Sequence, residues 1–174
     1  MSHRTSPDRS FHMTWQDPNT MTSQALALGG LAYLQAIVRG ELPAPPICDL
    51  VGMEFVEAAP GRIVMVLKPS ERHYNALGTV HGGVAATVLD SVMGNAVHCT
   101  LPPGRSYTTL EIKINYLRAV TAGRLTCGGR LVQREGDLAV LESEVFAGDL
   151  LVCKGLGTYM VFPPKGGARP PGEA

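Results

Sequence analysis

Apolar and polar positions change their spacing repeatedly along this chain, and each change marks an element. In "TSQALALGGLAYLQAIVRG", Leu26, Leu31, Leu34, Ile37 and Val38 recur near helical spacing between a Thr/Ser start and Gly40, which predicts an amphipathic helix over Thr22–Arg39. The following "ELPAPPICDL" carries three prolines that suit neither a helix interior nor a central strand, so it reads as a stiff connection. "GMEFVEAAPGRIVMVLKPS" predicts two strands about a Pro-Gly turn, with Ile63, Met65 and Leu67 alternating with Val64, Val66 and Lys68. In "VAATVLDSVMGNAVHCTL", Val84, Val88, Leu89, Val92, Met93 and Val97 then predict one long, mostly buried helix, ended by Pro102 and Pro103. The remainder alternates: "YTTLEIKINYLRAV" and "RLTCGGRLVQREGDLAVLESEVFAGDLLVCKGLGTYMVF" predict about four antiparallel strands, with turns at Glu135-Gly136-Asp137 and Gly148-Asp149.

One long helix and one antiparallel sheet bury each other's apolar faces, which is an α+β architecture with the helix as the filling. The expected organisation is a disordered N-terminus over residues 1–20, a helix and proline-rich connection over 21–46, the main domain over 47–163, and a disordered Pro/Gly tail over 164–174.

Composition narrows the classes. The chain has 174 residues, 45% of them hydrophobic, which suits one domain with a single core. Fifteen basic residues balance fifteen acidic ones with no basic stripe, so nucleic acid is not an expected partner. No apolar run approaches the roughly 20 residues that cross a bilayer, and "MSHRTSPDRSFHMTWQDPN" lacks the apolar stretch of a signal peptide. The expectation is a soluble, cytoplasmic protein without a membrane partner. Cys48, Cys99, Cys127 and Cys153 are scattered among apolar neighbours and predict free buried thiols. His73, His81 and His98 form no ligand motif with them, so neither a metal nor another bound cofactor is expected.

The chemistry concentrates in "YNALGTVHGGVAATVLD". Gly82 and Gly83 fall just before the first residues of the central helix, where main-chain N–H groups lack helical partners and face the positive end of the helix dipole. Such amides can stabilise an oxygen that gains charge, and glycine lets a carbonyl approach closely. The alternative is a pair of ordinary turn glycines. Asp90 is the sharper feature, because a charge inside an apolar run is costly to desolvate. It is either a general base or nucleophile, or a carboxylate on a solvated helix face. Asn75 and His81 are likewise open to plain readings, as a turn asparagine and a hydrogen-bonded histidine at the helix start. Nucleophile motifs are missing: no G-x-S-x-G occurs, and Cys99 follows His98 directly, so their side chains diverge on a helix.

The pattern N-x-x-G-x-x-H-G-G-x-x-x-x-x-x-D resembles the signature of the PaaI-like branch of hotdog-fold thioesterases. "YTTLEIKINYLRAV" and "REGDLAVLESEV" resemble that family's next strand and hairpin, so the likeness runs from about Cys48 to Phe162. Ala119 departs from the proline that the family commonly carries there, and the N-terminal helix lies outside the common core. The resemblance implies a hotdog fold that hydrolyses acyl-CoA thioesters, with coenzyme A entering as part of the substrate. It implies Asp90 as the catalytic carboxylate, the Gly82 amide as the donor to the thioester carbonyl with Gly83 beside it, and Asn75 and His81 as shapers of the pocket. Thr109 would hold the attacking water. The nucleotide would lie near the turns after Tyr116 and around Gln133 to Leu138, where Arg118, Arg134, Gly136 and Asp137 would contact it. Strict alternation through Leu110, Ile112, Ile114 and Tyr116 instead puts Thr108 on the helix-facing side.

Gly82 and Asp90 are eight residues apart, about 12 Å along a helix. One thioester carbon cannot lie within the roughly 3–3.5 Å of both that reaction needs. The expected active unit is therefore a homodimer with two shared sites, alone or within a tetramer. Two other readings stand beside the hydrolase: an acyl-CoA-binding hotdog protein without catalysis, and a hotdog enoyl-CoA hydratase that pairs a histidine with a carboxylate.

Overall fold

The computed structural model describes residues 9–164. Of the ends expected to be disordered, 1–20 and 164–174, residues 1–8 and 165–174 lie outside that range, whereas 9–20 lie within it and 18–20 are helical. From residue 9 the chain runs as coil against the loop before the central helix, where Arg9 pairs with Glu71 at 2.7 Å and Phe11 lies under the Arg72 guanidinium.

The predicted N-terminal helix is two helices, α1 (Pro18–Leu28) and α2 (Gly30–Val38). It starts earlier than Thr22 because Asp17 caps the amide of Asn19 at 3.0 Å and Pro18 suits the first turn. It breaks at Gly29, whose φ of +77° no helix residue adopts. The proline-rich connection also contains a short helix, α3 (Pro46–Val51). Proline is excluded from helix interiors but favoured at the first position, and Pro46 stands there.

Six strands follow: β1 (Met53–Ala59), β2 (Arg62–Leu67), β3 (Ser106–Tyr116), β4 (Leu125–Glu135), β5 (Leu138–Ala147) and β6 (Leu150–Phe162). They form one antiparallel sheet in the order β1-β2-β4-β5-β6-β3. The long helix α4 (Gly82–His98) lies between β2 and β3 in sequence and packs across one face of the sheet. Val88, Leu89, Val92, Met93 and Val97 of α4 are buried against Ile63, Met65, Cys127, Leu141 and Val145. Each such side chain contributes about 1.5–3 kcal/mol by leaving water. The second glycine of "CGGR" has a packing reason, since a Cβ at Gly129 would overlap the Val92 carbonyl. The other face of the sheet is charged, with Arg130 paired to Glu142 and Lys154 to Glu144.

Tyr33, Leu34 and Ile37 bring α2 into the same core, and Gln35 Nε2 donates to Ala58 O of β1 at 3.2 Å. No helix of the described residues is long and apolar enough to cross a membrane.

Candidate functional site

Helix α4 begins at Gly82, two residues earlier than its apolar spacing predicts, because His81 caps it. The His81 ring accepts at Nδ1 from the Gly83 amide at 2.9 Å, and the His81 carbonyl accepts from Val84 N–H at 3.0 Å. That leaves Gly82 N–H without a hydrogen-bond partner among the described residues. Of the two glycines, Gly82 alone thus offers an open donor at the positive helix end. The Tyr116 hydroxyl donates to the Gly82 carbonyl at 3.0 Å and holds this turn from β3.

Asn75 builds the loop that leads into the helix. Its Oδ1 accepts from Leu77 N at 2.8 Å and Thr79 N at 3.2 Å, and its Nδ2 donates to Thr79 Oγ1 at 2.8 Å. These are the bonds of an asparagine turn. Val80 N–H donates to Val120 O and His81 N–H to His73 O, both at 2.8 Å, so the loop is tied down on both sides before Gly82.

Asp90 lies two turns along α4, half-buried. Its Oδ1 accepts from the Thr109 hydroxyl at 2.9 Å and from the Tyr159 hydroxyl at 2.9 Å. Thr108 is exposed, so the strict alternation fails here. The cause is a β-bulge: Thr109 pairs with Tyr159 and Glu111 with Thr158, leaving Leu110 as the extra residue. Tyr107 and Thr109 face the helix before the bulge, and Ile112 and Ile114 after it. Tyr159 was not singled out from sequence, because nothing in the alternating "GLGTYMVF" distinguishes a tyrosine bonded to a carboxylate from one that only packs. Burial and the neighbouring Asp90 charge raise the pKa of this phenol, which keeps it a donor.

The remaining residues separate into two groups. Tyr116 and Arg118 lie at the Gly82 end, where Arg118 N–H donates to Val152 O and its Nη1 to Leu151 O. Arg134, Gly136 and Asp137 lie at the other end, where Asp137 O accepts from Val161 N–H. Val152 and Val161 are on one strand, nine residues and about 30 Å apart. Within one chain these groups cannot meet. Asp90, through Thr109 and Tyr159, belongs to the second end, since Tyr159 pairs with Ala139 and Ala139 with Arg134.

Two hollows flank these groups. An apolar cavity of about 360 Å³ opens beside Gly82, lined by Val80, Val84, Val88, Leu117 and Val152. A groove of about 430 Å³ runs beside Thr109 between α1 and β3, lined by Thr22, Leu26, His98 and Tyr107. All four cysteines are free and buried, and burial pushes Cys48, Cys99 and Cys127 up to about 12 and Cys153 to about 11. Among the described residues no group of His, Cys, Asp and Glu is placed to hold a metal ion.

Residues 77–154 match the thioesterase superfamily. Human acyl-coenzyme A thioesterase 13 is 37% identical over 69 residues, 40% of this chain and 49% of that protein, so the chain spans about half the length of this curated relative. The solved structure of a conserved Pseudomonas aeruginosa protein is 34% identical, covering 68% of this chain and 95% of the other with a TM-score of 0.66. A phenylacetic acid degradation-related protein from Ralstonia eutropha is 28% identical, covering 74% and 98% with a TM-score of 0.68.

Proposed function

Because the chain belongs to the thioesterase superfamily, we propose that it hydrolyses an acyl-CoA thioester to a carboxylic acid and free coenzyme A. The observation that carries this reading is the presence, on one helix, of an open amide at Gly82 and a carboxylate at Asp90 held by two hydroxyls. The Gly82 N–H donates to the thioester oxygen, which becomes an oxyanion as the carbonyl carbon is attacked. Asp90 takes a proton from the attacking water as the water oxygen bonds to that carbon. The oxyanion then collapses, the C–S bond breaks, and the sulfur leaves with the proton, returning Asp90 to a carboxylate. In the other route Asp90 attacks the carbonyl carbon directly, the C–S bond breaks as coenzyme A leaves as its thiolate, and water opens the resulting anhydride to the acid and the Asp90 carboxylate, its released proton going to the thiolate.

The acting unit is a homodimer. Gly82 and Asp90 sit about 12 Å apart on one rigid helix, and the nucleotide-binding candidates fall into two groups at opposite ends of the sheet. A two-fold axis that sets the Gly82, Tyr116 and Arg118 end of one protomer against the Asp90, Thr109 and Arg134 end of its partner unites the set. The strand β3 is one of the sheet's two edges, eleven residues long with exposed Leu110, and such an edge is a template for pairing. The hydratase reading needs a histidine for proton transfer, and Nδ1 of His81 is already engaged in the helix cap.

Thiol release measured over aryl, short-chain and long-chain acyl-CoAs tests the proposal. Turnover of at least one class is expected, and inactivity across all of them overturns hydrolysis.

A further inference from the structure

The buried side of Asp90 is built around Tyr159. The ring is fully buried on β6, and its hydroxyl donates to Asp90 Oδ1 at 2.9 Å while lying 3.2 Å from the Asp90 main-chain oxygen. Thr109, its cross-strand partner, donates to the same Oδ1 at 2.9 Å. Gly157 makes room for the ring, since a Cβ there would stand 2.8 Å from Tyr159 Cε2. Tyr107 closes another side, tilted at 53° with centroids 6.2 Å apart. A ring enclosed in this way has little freedom to swing its hydroxyl elsewhere.

A carboxylate can accept at both oxygens. Here both donors converge on one, and Oδ2 has no hydrogen-bond partner among the described residues. Two donors from different strands restrain rotation of the carboxyl group, which leaves Oδ2 as the oxygen turned to the reaction. We propose that Tyr159 is a positioning residue: through Oδ1 it holds the carboxylate of Asp90 so that Oδ2 takes the proton from water or attacks the thioester carbon. This inference rests on the hydrolysis reading above.

The ionisable groups that face Asp90 are Tyr159 from β6 and Tyr107 from β3, both raised by burial and by the Asp90 charge. His98 of α4 itself lies beyond Tyr107, and Tyr33 of α2 beyond His98. The thiols of Cys127 on β4 and Cys153 on β6 beneath the helix are kept neutral by burial. No described cationic side chain pairs with Asp90. The two hydroxyl donors are therefore the groups that hold its carboxylate in place.

Tyr159→Phe keeps the ring and deletes the donor. Its kcat should fall about tenfold, the scale of one hydrogen bond to a charged group, with KM within about twofold of wild type. Incorporating 3-fluorotyrosine at position 159 keeps the shape and the donor, so its kcat should stay within about twofold of wild type. An unchanged kcat in Tyr159→Phe, or a loss confined to KM, overturns the proposal. The Tyr159 hydroxyl proton should also give an exchange-protected NMR resonance that shifts in Asp90→Asn. That resonance needs no turnover: its presence without thiol release counts against hydrolysis, and its absence counts against the hydrogen bond.

Discussion

Gly30 lies directly against the carbonyl of His98, so close that a Cβ on Gly30 would overlap it. The start of α2 thereby meets the end of α4, and Gly30 N–H donates to Leu101 O at 3.0 Å just beyond. Gly30→Ala should force the two helices apart and cost about 2 kcal/mol, within the range for overpacking a tight contact. Denaturant unfolding would read that loss, and protease cleavage should speed up within 18–38 while α4 stays protected. An unchanged midpoint would mean that the junction yields without cost.

That junction shows where sequence patterning stops being informative. The buried faces of α4 and the strands impose periods of 3.6 and 2, so Val88, Leu89 and Val92, or Ile63 and Met65, announce their elements. Gly29 and Gly30 sit inside an unbroken helical spacing, and only the left-handed backbone at Gly29 divides α1 from α2. The bulge at Leu110 depends on pairing with β6 and leaves no mark on β3 itself, which is why alternation selects Thr108 and the fold presents Thr109. Tyr159 meets Asp90 across 69 residues of chain, a contact that no local pattern encodes. Asn75 and His81 were legible in their plainer readings, as turn builder and helix cap, because those bonds are local.

His98 predicts an acid-sensitive fold. Burial beside Tyr33 and Tyr107 lowers its pKa to about 4 from an ordinary 6.5. The unfolded chain then binds a proton that the folded chain refuses, so stability is lost as pH falls from about 6.5 towards 4. At pH 5 the loss relative to pH 7 should be about 2 kcal/mol from this residue alone. His73, lowered by burial and by Arg72, adds to the same slope. Urea midpoints measured from pH 7 to pH 4.5 should fall steeply in wild type and less in His98→Phe. Equal slopes in the two proteins would remove His98 as the cause.

Asp90→Asn separates an enzyme from a binding module. Asparagine retains a carbonyl oxygen for the Thr109 and Tyr159 donors, so the local structure should survive while the base or nucleophile is gone. Turnover should drop at least about 100-fold, the low end for losing general base catalysis. Affinity for a non-hydrolysable acyl-CoA analogue, measured by calorimetry, should stay within about threefold, because uniform binding is untouched. Full turnover in the variant would return Asp90 to a structural role.

The shared site can be tested by complementation. Asn75→Ala dismantles the loop that presents Gly82, since Asn75 holds Leu77 and Thr79 in place, whereas Asp90→Asn damages only the other half of the set. Each variant should be nearly inactive as a homodimer, because both of its sites carry the lesion. In a mixed dimer one site combines the two lesions and the other has neither. Co-expressed chains with different tags, purified through both, should therefore show about half the wild-type turnover per dimer if the sites act independently. If Gly82 and Asp90 served one substrate within a single chain, every site in the mixed dimer would be damaged. Activity would then be no higher than the mean of the two parents, and that result would reject the two-fold arrangement.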